Sequence, residues 1–135
     1  MALADELQER TKRKFPELLG ITFLEASQDG IKAELDAREE ITTVAGIVHG
    51  GALMGFADTL GAVSTILNMP ADCRTTTIES KTNFFRAART DGKVIGTCTP
   101  LHKGRTTQVW QTRITDENDK LCALITQTQI VIPAG

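Results

Sequence analysis

The stretch AGIVHGGALMGFADTLGAVS, residues 45–64, decides how this chain is organised. Leu53, Phe56, Ala57, Leu60, Val63 and, just beyond, Leu67 recur at intervals of three and four, which is the spacing of one helix face. The helix opens on His49-Gly50-Gly51 and runs to about Asn68. Met69-Pro70 ends it, because the residue before a proline is biased out of the helical region. Asp58 is the one residue in the stretch that is charged at neutral pH. Acids are rarely buried without a partner, so this carboxylate needs an ion pair, contact with water or a task.

Strands flank the helix on both sides. Residues 3–14 read as a shorter helix with Leu3 and Leu7 on one face, stopped by Gly20. ITFLEASQ (21–28) and IKAELDA (31–37) flank Asp29-Gly30, a hairpin signal, and 38–46 is a loop. After the helix come RTTTIESKTNFF (74–85), KVIGTCTPLHK (93–103), RTTQVWQTRITD (105–116) and KLCALITQTQIVI (120–132). The breaks between them, TDG, HKG and DEND, have turn chemistry. Consecutive strands joined by tight turns are expected to pair antiparallel. Two strands, one long helix and four strands predict an α+β domain over residues 1–135, with the helix covering one face of the sheet. Gly51, Gly55 and Gly61, with several alanines, are expected to let a curved sheet wrap closely around the helix.

Composition narrows the functional classes. A net charge of -2 gives no broad basic field for nucleic acid, and five Phe, one Trp and no Tyr make a poor platform for stacking bases. There is no apolar run of membrane-spanning length, and the charged N-terminus lacks a secretory leader's apolar segment, so the expectation is a cytoplasmic protein without a membrane partner. Cys73, Cys98 and Cys122 form no C-x-x-C pair and read as structural core thiols. With only His49 and His102, neither a His-rich metal site nor a metal cofactor is expected. The common nucleophile, zinc-protease, phosphate-loop and dinucleotide motifs are absent.

Chemistry then concentrates on the long helix. Its first N–H groups lack internal partners and sit at the positive end of the dipole. Gly50 and Gly51 would let a ligand approach that backbone, where a carbonyl oxygen gaining charge is stabilised. The other reading is tight packing at the glycines with His49 as the helix cap. Asp58 is either a general base or nucleophile, or a carboxylate held in a salt bridge or exposed. Eight residues put it roughly 12 Å along the axis from Gly50, too far for both to act on one small group within one chain. Two helices antiparallel across a twofold axis would bring Asp58 of one chain to the helix start of the other.

GIVHGGALMGFADTLGAVS (46–64), followed by TTTIESKTNFFRAARTDGKVIGTCTPLHKGRTTQVWQTRITDENDKLCALITQTQIVI (75–132), resembles the hotdog-fold acyl-CoA thioesterases. It is similar to the branch that holds the hydroxybenzoyl-CoA and phenylacetyl-CoA thioesterases and the enzymes that proofread aryl-carrier proteins. The resemblance spans nearly the whole chain. It rests most on the His-Gly-Gly start with an acid nine residues on, and on NFFRAA and HKGR.

The resemblance implies a long helix wrapped by an antiparallel sheet, and a homodimer assembling into a homotetramer with sites at the dimer interface. It also implies hydrolysis of an acyl-CoA to free acid and coenzyme A, without a cofactor. By the same resemblance Asp58 is the catalytic carboxylate and the Gly50 N–H polarises the thioester carbonyl, with Gly51 beside it. His49 supports the substrate and its leaving group, and Thr77 orients the water or the acid. Arg86 is a basic position near the coenzyme A nucleotide, with Lys103 and Arg105 as phosphate contacts. Thr43 departs from the pattern, since many relatives carry Gln or Asn six residues before the histidine; a threonine reaches less far. A hotdog dehydratase or hydratase, and a non-catalytic acyl-CoA-binding module, are the alternatives.

Overall fold

The computed structural model describes residues 1–90 and 92–134. Asp91, in the middle of the expected 90–92 turn, and Gly135 lie outside the described residues. Six strands form one antiparallel sheet: β1 (Ile21–Ser27), β2 (Gly30–Asp36), β3 (Cys73–Phe84), β4 (Lys93–Lys103), β5 (Thr107–Thr115) and β6 (Leu121–Pro133). Helices α1 (Leu3–Arg10) and α2 (Phe15–Leu19) precede the sheet in sequence, and α3 (Gly50–Ile66) lies between β2 and β3. The spatial order is β1-β2-β4-β5-β6-β3.

That order corrects the sequence expectation at one place. β3 and β4 follow each other in the chain but do not pair; β4 joins β2, and β3 crosses to the far edge beside β6. Turn-forming residues between two strands therefore did not dictate a hairpin there. The other two late turns are hairpins, β4–β5 and β5–β6.

The long helix covers one face of the sheet. Leu53, Phe56, Ala57 and Leu60 are buried against it, with Trp110, Ile114 and Ile125 beneath. Each fully buried Leu, Ile or Phe contributes about 1.5–3 kcal/mol, so this contact is a large part of what stabilises the fold. Close approach to the sheet comes from one of the three expected glycines, Gly61, and from Gly96, which was not among them. A Cβ on Gly61 would sit 2.2 Å from the Gln127 side chain, and one on Gly96 of β4 2.8 Å from the Phe56 ring. Gly55 faces Phe15 and Leu19 instead, and Gly51 faces His49.

Smaller departures have local causes. The N-terminal helical stretch divides, because Arg13 takes a positive φ of 60 and Pro16 suits the first turn of a new helix. Gly20 caps α2 in the left-handed region at φ 94. The β1–β2 turn falls on Gln28-Asp29, and Gly30 is the first residue of β2. A side chain at Gly30 would meet the Cys98 carbonyl at 2.1 Å. Cys98 and Cys122 are buried, but Cys73 at the start of β3 is only half-buried. No helix among the described residues is long and apolar enough to cross a membrane.

Candidate active site

The start of α3 is built by His49. Its backbone is extended, at φ -62 and ψ 135, and its Nδ1 accepts the Gly51 N–H at 2.8 Å. The imidazole is therefore an N-cap, and Nδ1, as acceptor, carries no hydrogen; the hydrogen of the neutral ring is on Nε2, on an exposed side chain. Gly51 is spent on this cap, and a Cβ there would stand 2.9 Å from Nδ1. Gly50 differs: its N–H has no acceptor among the described residues. A Cβ at Gly50 would lie 3.1 Å from the Phe84 ring, so the donor sits beside an aromatic wall.

A cleft of about 340 Å³ opens at this point, and its walls include Thr43, Gly50, Phe84, Phe85 and Arg86. Phe84 and Phe85 are 53% and 60% exposed, an unusual outlay of apolar surface at the end of a strand. Thr43 is held in the preceding loop, its N–H on the Ile47 carbonyl at 2.8 Å and its hydroxyl accepting from the Ala45 N–H at 3.2 Å. Thr43, Gly50 and Arg86 thus meet in one cleft. Arg86 also faces a second cleft shared with Arg89 and Lys93.

Lys103 and Arg105 lie elsewhere. Lys103 ends β4, and its ammonium donates to the Gln28 carbonyl at 2.6 Å and stands 3.8 Å from the Asp29 carboxylate. Lys93, beside Arg86, begins the same eleven-residue strand. At about 3.3 Å per residue, roughly 33 Å separates the two ends. One chain therefore does not bring Arg86 together with Lys103 and Arg105.

Asp58 is half-buried and joins no ion pair among the described residues, so neither a salt bridge nor free exposure explains it. It is held by hydrogen bonds. Thr77 Oγ1 donates to Asp58 Oδ1 at 2.6 Å, and Gln127 Nε2 donates to the same oxygen at 3.2 Å. Thr77 Oγ1 also touches Gln129 Oε1, but one hydroxyl has one hydrogen, and the charged oxygen is the stronger acceptor. A β-bulge at Ile78 lies directly beside Thr77: the β3–β6 register shifts between Thr77 and Glu79. Ile78 and Glu79 consequently both face outward while Thr75, Thr77, Ser80 and Thr82 stay on the inner side. Bulges of this kind re-aim a side chain, here the Thr77 hydroxyl.

Gln127 and Gln129, both fully buried on β6, were not singled out from the sequence. The signal was present: they share the inward phase of Ile125 and Val131, where an apolar residue belongs. The two buried thiols offer no competing nucleophile. Burial pushes the Cys98 and Cys122 thiols up, so both stay protonated at neutral pH. No group of three potential metal ligands occurs among the described residues.

Known proteins share this architecture. Residues 45–123 match the thioesterase superfamily. The 1,4-dihydroxy-2-naphthoyl-CoA hydrolase of Escherichia coli is 35% identical over 104 residues, which is 77% of this chain and 76% of that one. A thioesterase from Haemophilus influenzae superposes with a TM-score of 0.93 at 28% identity, over 99% of this chain and 93% of its own. A substituted thioesterase from Pseudomonas aeruginosa gives 0.92 at 27%, over 96% and 94%. A helix-wrapping sheet, an open donor at a glycine helix start and a hydrogen-bonded helix carboxylate accompany that match, and this chain belongs to the thioesterase superfamily as a hotdog-fold thioester hydrolase.

Proposed function

We propose that the substrate is an acyl-CoA with an aryl or medium-chain acyl group, cleaved to the free acid and coenzyme A. The observation that carries this reading is the unpartnered Gly50 N–H at the positive end of α3, opening into the cleft beside Phe84 and Arg86. The thioester carbonyl oxygen binds that N–H. Asp58 takes a proton from water as the water oxygen attacks the carbonyl carbon, or its own oxygen attacks to give an anhydride that water then opens. In either case the carbon–sulfur bond breaks and the leaving thiolate takes up a proton. The His49 Nε2–H supports the substrate beside the same helix start, and Thr43 reaches the cleft with its hydroxyl. Arg86 meets the nucleotide end.

Two copies of the chain make each site. For Asp58 of one copy to meet Gly50 of the other, the twofold must pass midway between them along α3, at Met54. On β3, Thr77 lies beside Asp58 and Phe84 beside Gly50, and their midpoint is Ser80–Lys81. Both midpoints lie on open surface: Met54 is 37% exposed, and β3 is an edge strand with one side unpaired. An open twelve-residue edge is a template for a second chain. The same pairing carries Lys103 and Arg105 of a second copy toward the Gly50 end of the first, where a phosphate can use them. A homodimer, pairing again into a homotetramer, and a cytoplasmic location complete the reading; unpaired thiols suit a reducing compartment.

The test is thiol release from a panel of aryl- and alkyl-acyl-CoAs, with Asp58→Asn alongside. Turnover by the wild type and a loss of about a hundredfold or more in the variant are expected, the usual contribution of a positioned acid or base. No release from any acyl-CoA would overturn the substrate class, and wild-type turnover by Asp58→Asn would remove the carboxylate from the mechanism.

A further inference from the structure

The two hydrogen bonds to Asp58 land on one oxygen. Thr77 and Gln127 both donate to Oδ1, while Oδ2 has no partner among the described residues. A carboxylate held by one oxygen keeps its other oxygen, with its lone pairs, directed at whatever approaches. What determines this arrangement is the orientation of the Gln127 amide, and a chain of hydrogen bonds sets that orientation.

The chain starts at Thr75. Its hydroxyl hydrogen is spent on the Ile130 carbonyl at 2.8 Å, so Thr75 Oγ1 can only accept. Gln129 meets it with Nε2, 3.1 Å away, which turns Oε1 toward Gln127 and against Thr77 Oγ1. Gln127 must meet that Oε1 with its own Nε2, at 3.0 Å, and the second Nε2 hydrogen goes to Asp58 Oδ1. The cost is visible. Gln127 Oε1 is buried with no hydrogen-bond partner among the described residues. The reversed amide would face the carboxylate with an oxygen, which is worse. An acceptor left bare in a core indicates that presenting the N–H is what this position serves.

The helix makes room for it. A Cβ on Gly61, three residues after Asp58, would stand 2.2 Å from Gln127 Cδ and 2.4 Å from Nε2. Only a glycine lets the carboxamide lie against α3 at the height of the carboxylate. We infer that Gln127, seated in the notch left by Gly61 and oriented through Gln129 and Thr75, is a positioning residue that pins Asp58 Oδ1 and leaves Oδ2 as the reacting oxygen. This rests on the reading of Asp58 as the reacting carboxylate.

The experiment measures kcat, KM and the thermal midpoint for Gln127→Met, Gly61→Ala, Gln127→Ala, the double variant Gly61→Ala/Gln127→Ala and Asp58→Asn. The substrate is an acyl-CoA that the wild type turns over. Gln127→Met keeps the volume and loses the donor. It should lower kcat about tenfold with KM unchanged, below the contribution of the carboxylate itself. Gly61→Ala should do the same, because its methyl displaces the carboxamide. In the Gln127→Ala background there is nothing left to displace, so Gly61→Ala should cost no further kcat there. Wild-type kcat in a folded Gln127→Met, or an equal Gly61→Ala penalty in both backgrounds, would overturn the inference. If Asp58→Asn is inactive while Gln127→Met is normal, the positioning role alone fails. If Asp58→Asn is fully active, the reading beneath it fails. Should Gly61→Ala not fold, Gln127→Met decides alone.

Discussion

Gly50 and Gly51 are neighbours with different duties: the Gly51 N–H is bound to His49 Nδ1, and the Gly50 N–H is open. His49 caps the helix through Nδ1, and in the proposed reading its exposed Nε2–H has a second role, supporting the substrate. Asparagine caps helices well but cannot present that N–H. His49→Asn should keep the unfolding free energy from denaturant titration within about 0.5 kcal/mol of wild type while lowering turnover or raising KM. Unchanged kinetics would leave His49 as a cap alone. Arg86 makes a separate case, because it is exposed and lies beside Arg89 and Lys93. Arginine suits bidentate phosphate contact, and coenzyme A is too long to bury. Arg86→Ala should raise KM for acyl-CoA with kcat nearly unchanged, since a remote contact binds ground and transition states alike. The penalty should shrink with an acyl-pantetheine, which lacks the nucleotide phosphates. An equal penalty on both substrates would place Arg86 in the fold or the chemistry instead.

Helix α3 joins the open donor at its start to the carboxylate at its middle, and the two can be damaged independently. Gly50 is the first residue after the cap, where proline is favoured and its missing N–H costs the helix nothing. His49 is already in the extended region that a residue before proline prefers. Gly50→Pro thus deletes one donor and keeps the helix, while the exposed Phe84 ring, 3.1 Å from a Cβ at this position, must shift to admit it; Gly50→Ala, which keeps the donor, controls for that shift. Gly50→Pro should cut kcat roughly a hundredfold or more, as loss of an oxyanion-hole donor does, with helical circular dichroism preserved. Wild-type kcat in the proline variant would show that the carbonyl is polarised elsewhere. β3 contributes at the same scale. Without the bulge at Ile78, strict alternation would carry Thr77 and Ser80 to opposite faces.

At the scale of the molecule, one chain keeps Gly50 and Asp58 about eight helix rises, or 12 Å, apart, and Arg86 and Lys103 at opposite ends of β4. Two inactive proteins should therefore repair each other. Asp58→Asn and Gly50→Pro, unfolded together and refolded as mixed dimers, should regain activity, because a hybrid has one intact site and one doubly damaged site. Hybrids that assemble yet stay inactive would count against a site made by two chains. In sedimentation the wild type should run as a dimer or larger, and Ile78→Lys on the open edge of β3 should shift it toward monomer with loss of activity.

The residues themselves determined much of this. Periodicity placed α3 within two residues at its end, and its start on His49 was legible from the glycines. β4 was bounded as observed, and the other late strands within about two residues, because turn residues interrupt β-branched runs sharply. These are local properties, set by neighbours in the chain. Tertiary structure alone decided the rest. Pairing β3 with β6 instead of β4 is a long-range choice that turn chemistry does not encode. The bulge at Ile78 depends on a partner strand, and so does the face on which Thr77 lies. Gln127 and Gln129 looked like strand polar residues and are buried, because a carboxylate on a helix 69 residues away in sequence from Gln127 needs a donor and Gly61 opens the space for it. A hydrogen bond between distant segments has no local signature; only the folded chain brings its two ends within reach.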